Sequence, residues 1–328
     1  MRIHYILLVC VFLLTSCDKT KISWDSGEKE NLEECKVNLY VENSGSMEGY
    51  MHDGFEFKDA VFGYVTAINK YVDDTRFFYI NSKIVPNRIS LENLTGSFNA
   101  AAFKAGGGDR SSTNLAAMLK MILKEQQKNT VSVFVSDCIL DLPKGAAKNY
   151  FINNQIAIEA IVSKKLKKQK DLTFVVFRLM SRFYGKYYNS TGSSTVNAMR
   201  PYYVFLIGNG SLVSQLMRKV PLADIPNAKV TSMVAYINNH VPAMTITNST
   251  GRLFKKNKCN LLPEKGSDNY RIKILADLSS AFIQEDSLAN KNLYKSSDRQ
   301  FKLEYVEKIK DPESPYTHIL TVSTPQSV

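Results

Sequence analysis

The sequence predicts an α/β chain, in which a doubly wound, mostly parallel sheet is followed by a smaller β-rich domain. Three observations predict it. Between residues 36 and 219, short apolar strand patterns alternate with amphipathic helical ones. One strand, Thr130-Val-Ser-Val-Phe-Val-Ser136, has the near-continuous apolar character of a strand covered on both faces. After Pro221 the helical patterns stop, and strand-like segments follow one another.

Each element has its own signal. Lys36-Val-Asn-Leu-Tyr-Val-Glu42 is a strand that breaks at the turn residues Asn43-Ser-Gly-Ser46. Residues 59–72 place Ala60, Val61, Tyr64, Val65, Ile68 and Tyr71 near helical spacing. Arg76-Phe-Phe-Tyr-Ile80 is the second strand, and residues 90–103 are partly helical. Ala105-Gly-Gly-Gly-Asp109 is a loop, after which Ser112 or Thr113 caps a helix that runs to Leu123. A helix over 154–168 precedes the strand Leu172-Thr-Phe-Val-Val-Phe-Arg178. Residues 182–188 are a short edge strand or a hairpin arm, Tyr202-Tyr-Val-Phe-Leu-Ile207 is a further strand, and a helix covers 211–219. Strands at 230–237, 243–247, 270–275, 301–306 and 318–322 then make up the second domain, so the expected division is 36–220 and 221–328.

Composition bounds the function classes. The chain has 328 residues, 44% hydrophobic and 22% charged, which supports folded domains and excludes a disordered chain. The net charge of +11 arises from scattered basic residues interleaved with acidic ones, so no nucleic-acid partner is expected. The one dense run, Lys164, Lys165, Lys167, Lys168 and Lys170, reads as a solvated helix face, with a phosphate- or membrane-facing patch as the lesser alternative. No two of the five cysteines have metal-ligand spacing; a Cys35–Cys259 bridge is left open, and Cys138 reads as a buried thiol.

The first seventeen residues set the expected compartment. A basic start is followed by an apolar run too short for a permanent membrane helix, ending in Leu14-Thr15-Ser16-Cys17. This ending resembles the bacterial lipoprotein lipobox. The resemblance implies cleavage before Cys17, lipid on that cysteine, and a membrane anchor in the cell envelope. Residues 18–35 are polar and acidic and read as a tether.

Hard oxygen donors fall where strands end. They are Glu42, Ser44 and Ser46 after the first strand, Thr113 beyond the glycine loop, and Asp137 after the strand ending at Ser136. Such groups, brought together, suit a magnesium- or manganese-like ion. The alternative is purely structural: Ser44, Gly45 and Ser46 make the turn, and Asp137 caps backbone N–H groups.

In order, Leu39-Tyr-Val-Glu-Asn-Ser-Gly-Ser-Met47, Gly106-Gly-Gly-Asp-Arg-Ser-Ser-Thr-Asn-Leu115 and Phe134-Val-Ser-Asp-Cys138 resemble the metal-ion-dependent adhesion site of von Willebrand factor A domains. The resemblance covers residues 36–219. It implies Mg2+ or Mn2+ held by the hydroxyls of Ser44 and Ser46, with Thr113 direct or through water and Asp137 mainly through water. It also implies a protein partner whose acidic group completes the shell. Glu42 departs from the family's aspartate. Its longer side chain either reaches the ion directly or crowds it out.

Other sites are less well supported. The glycine loop lacks the lysine of a phosphate loop, and Gly208-Asn-Gly210 lacks a third glycine in register. Asn43-Ser-Gly-Ser-Met47 is not a nucleophile elbow. His52, His240 and His318 lie in separate segments, and the Tyr/Arg-rich stretch 178–200 reads first as a packed hairpin. The expectation is therefore a binding module and not an enzyme. A metal-free structural subunit of an envelope complex comes second, and a metal-dependent envelope hydrolase is a remote third because no general base is placed for it.

Overall fold

A computed structural model of the chain describes residues 21–23, 31–52, 54–87, 98–111, 114–140, 147–189, 192–237, 242–247, 252–255, 258–260, 269–283, 285–296, 299–311 and 313–325. The chain divides into two units. The larger comprises residues 28–242 and 279–282, and the smaller comprises 1–27, 243–278 and 283–328. The predicted leader and Cys17 lie outside the described residues.

In chain order, the strands are β1 (Lys21–Ser23), β2 (Lys36–Glu42), β3 (Asp74–Ile80), β4 (Ile84–Pro86), β5 (Thr130–Ser136), β6 (Leu172–Asn189), β7 (Gly192–Asn209) and β8 (Lys229–Ile237). They continue with β9 (Met244–Thr247), β10 (Arg252–Lys255), β11 (Lys258–Asn260), β12 (Asn269–Ala276), β13 (Lys302–Lys308) and β14 (His318–Pro325). The helices are α1 (Glu56–Ile68), α2 (Ala100–Ala105), α3 (Leu115–Glu125), α4 (Ala147–Lys168), α5 (Gly210–Lys219) and α6 (Glu285–Leu288).

The larger unit is built on a seven-stranded mixed sheet ordered β4-β3-β2-β5-β7-β6-β8. β2 pairs parallel with β3 and β5, whereas the β3–β4, β5–β7, β6–β7 and β6–β8 ladders are antiparallel. Four of the seven strands (β2, β3, β5 and β6) therefore point one way, but the parallel run is confined to one half of the sheet. In the other half, β6 and β7 form a continuous hairpin with eighteen-residue arms, in register from Leu172↔Asn209 to Asn189↔Gly192. The sheet is therefore mixed, and this half departs from the doubly wound pattern because no helix separates these two arms.

Strand parity sorts the core into two layers. Val37, Leu39, Val41, Val131, Val133, Val135, Val175, Val204 and Leu206 face one side, with Tyr64 and Val65 of α1 and Leu212 and Leu216 of α5. Tyr40, Phe134, Phe174 and Ile207 face the other, under Met118, Leu119 and Ile122 of α3 and Ile158 and Ile161 of α4. Helices thus cover both faces, which is why every residue of β5 is buried. α3 starts one residue later than expected. Its cap is Asn114, whose side chain accepts from the Ala117 N–H at 2.9 Å.

Two expected boundaries move. β8, read from sequence as part of the second domain, is the edge strand of this sheet and pairs with β6 from Thr173↔Ile237 to Met180↔Lys229. Parts of the segment read as a tether belong to the fold. Lys21–Ser23 pairs antiparallel with Lys258–Asn260, and Leu32 and Cys35 are buried in the larger unit's core. Cys35 is a free thiol, which removes the Cys35–Cys259 bridge, and burial pushes its pKa up to about 11.

The smaller unit holds a four-stranded antiparallel sheet ordered β13-β14-β12-β9 and a three-stranded sheet ordered β1-β11-β10. Its core includes Tyr270 and Ile272. No helix among the described residues is long and apolar enough to cross a membrane.

Candidate functional site

Parallel pairing places the ends of β2 and β5 side by side, so the segments Glu42–Ser46 and Ser136–Cys138 leave the sheet at one edge. The structure therefore brings together four of the five predicted donors: Glu42, Ser44, Ser46 and Asp137. All four are buried. Thr113 lies outside the described residues.

The donors are held differently. The Ser44 and Ser46 hydroxyl oxygens are 3.0 Å apart. Glu42 is fully buried, and Ser136 Oγ donates a hydrogen bond to its Oε2. The same Ser136 Oγ accepts from the Cys138 N–H at 2.8 Å, so one serine ties Glu42 to the turn after β5. The Glu42 carboxyl is thus engaged by a residue of the neighbouring strand end.

Asp137 is the exceptional group. Its Oδ1 accepts from the Ile139 N–H at 3.0 Å, while its buried Oδ2 has no hydrogen-bond partner among the described residues. Burial pushes its carboxyl up to about 6, although the Ile139 N–H, the Ser46 hydroxyl and the Arg200 guanidinium pull the other way. Ser46 stands close enough to hold that value down without completing a bond of normal geometry to Oδ2. The next residue, Cys138, has φ 54°, a left-handed conformation that costs a non-glycine residue about 1–2 kcal/mol. Burial drives its thiol well above the ordinary range, which removes it as a nucleophile.

A polar frame fixes the first loop. Arg110 donates from Nε to Asn43 O at 2.6 Å and from Nη2 to Glu48 Oε1 at 2.6 Å, while its own carbonyl accepts from the Gly45 N–H at 3.1 Å. Asn81 Nδ2 donates to Asn43 Oδ1 and to Gly107 O, both at 2.7 Å. Gly108 has φ +79°, and a Cβ there would stand 1.9 Å from Asn81 Oδ1, so only glycine lets the loop close on Asn81.

The far half of the β6–β7 hairpin covers the turn Ser46–Tyr50. The Tyr50 ring sits 4.9 Å from Phe183 and 6.0 Å from Tyr202, and its hydroxyl donates to Pro201 O at 2.7 Å. His52 Nε2 donates to Tyr184 O at 2.9 Å, which ties this histidine to the hairpin. Beside this turn, a groove of about 510 Å³ is lined by residues including Gly45, Glu48, His52, Lys104, Tyr184 and Lys186.

Sequence reasoning missed Arg110, Asn81, Tyr50 and Arg200. Arg110 had a usable signal, since it lies inside the quoted threonine loop. The other three act through pairings that only the fold creates.

The donor set fits a hard divalent cation. Two hydroxyls in contact and an unpartnered buried carboxylate oxygen are the chemistry such an ion takes. Among the described residues, no three His, Cys, Asp or Glu side chains gather as a metal group, so serine hydroxyls would carry the coordination. Comparisons with protein-family models, curated proteins and solved structures find no match to this chain.

Proposed function

We propose that this chain is a lipid-anchored binding module of the bacterial envelope, with a von Willebrand factor A-like larger unit that recruits a protein partner through a magnesium- or manganese-dependent site. Ser44 and Ser46 hold the ion through their hydroxyls. Asp137 would support it mainly through water, with Thr113 the remaining donor. The bound cation supplies a hard Lewis acid that accepts one carboxylate oxygen from the partner. The chain's own residues do the rest. Arg110 and Asn81 fix the loop, Ser136 holds Glu42, and the groove beside the site places Lys186 and the Lys104–Glu48 ion pair next to an incoming acidic segment.

The observation that carries this reading is Asp137 Oδ2, a buried carboxylate oxygen with no hydrogen bond of normal geometry among the described residues, on a side chain that the Ser46 hydroxyl approaches. A second reading, a metal-free structural subunit, is favoured by the loop's closure on itself through Asn43, Asn81 and Arg110.

Thermal unfolding of the full chain separates the two. Saturating Mg2+ or Mn2+ should raise Tm over EDTA by roughly 5 °C, the size expected of a ligand at about 100 times its Kd. Ser46→Ala and Asp137→Asn should abolish the shift. Asp137→Asn should itself be at least as stable as the parent in EDTA, because it removes a buried charge. A parent protein indifferent to both cations would support the structural subunit instead.

A further inference from the structure

The end of the larger unit opposite the candidate site is strongly basic. The C-terminal end of α4 carries Lys164, Lys165, Lys167 and Lys168, and Lys170 follows. Lys164, Lys167, Lys168 and Lys170 are exposed, whereas Lys165 is half-buried, with its Nζ donating to Gln126 O at 2.7 Å. That bond places the end of α4 beside the start of β5, where the Lys36 N–H also donates to Asn129 O at 2.9 Å. The N-terminal edge of the parallel strands is therefore the end where the chain from Cys17 enters the sheet and the end where the lysines gather. Seven residues of β2 separate that edge from Glu42, a rise of about 20 Å.

Charge balance distinguishes this surface from an ordinary helix end. Lys165, Lys167 and Lys168 lie in the last turn of α4, where they complement the macrodipole, whereas Lys164 and Lys170 lie outside it. Lys164 and Lys168, four residues apart, repel each other on one helix face. Acidic residues also stand at this edge (Glu33, Glu34, Asp73, Asp74, Glu125 and Asp171, with Lys36 Nζ 3.9 Å from Asp74 Oδ2), but none falls within the run 164–170. Asp171 Oδ2 already accepts a bond from Asn209 Nδ2.

We propose that this basic end rests on the anionic phospholipid surface of the membrane to which the chain is anchored, leaving the Ser44–Ser46–Asp137 edge facing away from it. Two features select a membrane over a nucleic acid or an acidic protein. Eighteen residues lie between Cys17 and Lys36, so the lipid-bearing end stays within about 60 Å of this edge. In addition, a cluster of lysines beside a membrane attachment point is the pattern that anionic headgroups attract. The proposal rests on the anchoring part of the reading above and not on the metal site.

The test is flotation of the chain from residue 17 onward carrying Cys17→Ser, so that neither the apolar leader nor a lipid makes a contribution. Vesicles of phosphatidylcholine alone are compared with vesicles containing about one-third phosphatidylglycerol, whose surface potential supplies the attraction. The anionic vesicles should bind at least roughly tenfold more protein, and the excess should vanish near 0.5 M salt, where the Debye length is only about 4 Å. Replacing Lys164, Lys167 and Lys168 together by Gln should remove the excess, whereas replacement by Arg should keep it. The Arg variant shows that the helix tolerates change at these positions, and Lys165 is left intact because of its bond to Gln126. Equal binding to both vesicle types, or an anionic preference that survives the Gln variant, would overturn the proposal. So would tight retention on DNA without any anionic-lipid preference. Mass spectrometry of Cys17 in the parent chain reports separately on the anchor.

Discussion

Ser136, Asp137 and Cys138 concentrate most of the unusual chemistry of this molecule into one turn. Ser136 Oγ donates to Glu42 and accepts from Cys138 N–H, and so satisfies a buried carboxyl and a backbone group at once. Ser136→Ala should therefore cost about 2–3 kcal/mol, the penalty for stranding buried polar partners, measured by denaturant unfolding. A cost below about 0.5 kcal/mol, the level of an ordinary surface change, would mean that Glu42 finds another donor. The left-handed φ of Cys138 stores strain at the same place, a pattern associated with sites whose geometry is imposed by their surroundings. At this scale, the sequence made Ser44, Ser46 and Asp137 legible, because their residue types coincide with strand ends. It did not reveal that Glu42 would turn to Ser136, since a link across 94 positions exists only once β2 and β5 pair.

Among the elements, the β6–β7 hairpin decides how the site is covered. Its arms continue past the sheet and press on the turn Ser46–Tyr50. The closest approach is between two glycines, where a Cβ on Gly185 would come within 2.9 Å of Gly49 Cα. A Cβ on Gly49 would lie 2.3 Å from the Phe183 ring, which is itself buried. Gly49→Ala should then destabilise the protein by about 1–3 kcal/mol through overpacking, detectable as a lower Tm. An unchanged Tm would show that the hairpin does not bear on the turn. Helix α1 is tied to the same hairpin by Glu56, whose carboxylate receives the Arg182 N–H at 2.9 Å and Lys229 Nζ at 2.6 Å. Burial alone would raise the Glu56 pKa, but these donors bring it from 4.5 to about 2. A carboxylate lowered in the folded state adds stability above its unfolded value and loses it as pH falls. Stability should therefore decline between about pH 4.5 and pH 2, and Glu56→Gln should flatten that part of the profile. A profile unchanged by the substitution would remove Glu56 from this role. The long hairpin was only half legible. The aromatic and basic composition of 182–188 suggested an arm, but its partner 193–200 lacks apolar periodicity and is fixed by cross-strand pairing.

At the scale of the whole molecule, the larger unit is polar along its strands, with oxygen donors at one edge and lysines at the other. The parallel half of its sheet was readable because β5 is apolar on both faces and helical patterns flank it. The extent of the unit was not. β8 follows the compositional change at Pro221 and is mostly exposed, so nothing in its own residues assigns it to β6. The chain also returns late, when Ser279–Phe282 rejoin the larger unit. There, Ser279 Oγ lies 3.1 Å from Ser214 Oγ, and Phe282 packs on the main core. Separations of this length in sequence leave no local trace. The proposed function requires a divalent cation at the edge bearing Ser44, Ser46 and Asp137. Anomalous diffraction from manganese-soaked crystals of the full chain tests it most directly. A single strong peak at about 2 Å from the Ser44 and Ser46 hydroxyl oxygens, absent in Asp137→Asn, is the predicted result. A map with no peak at this edge under saturating manganese would contradict the account.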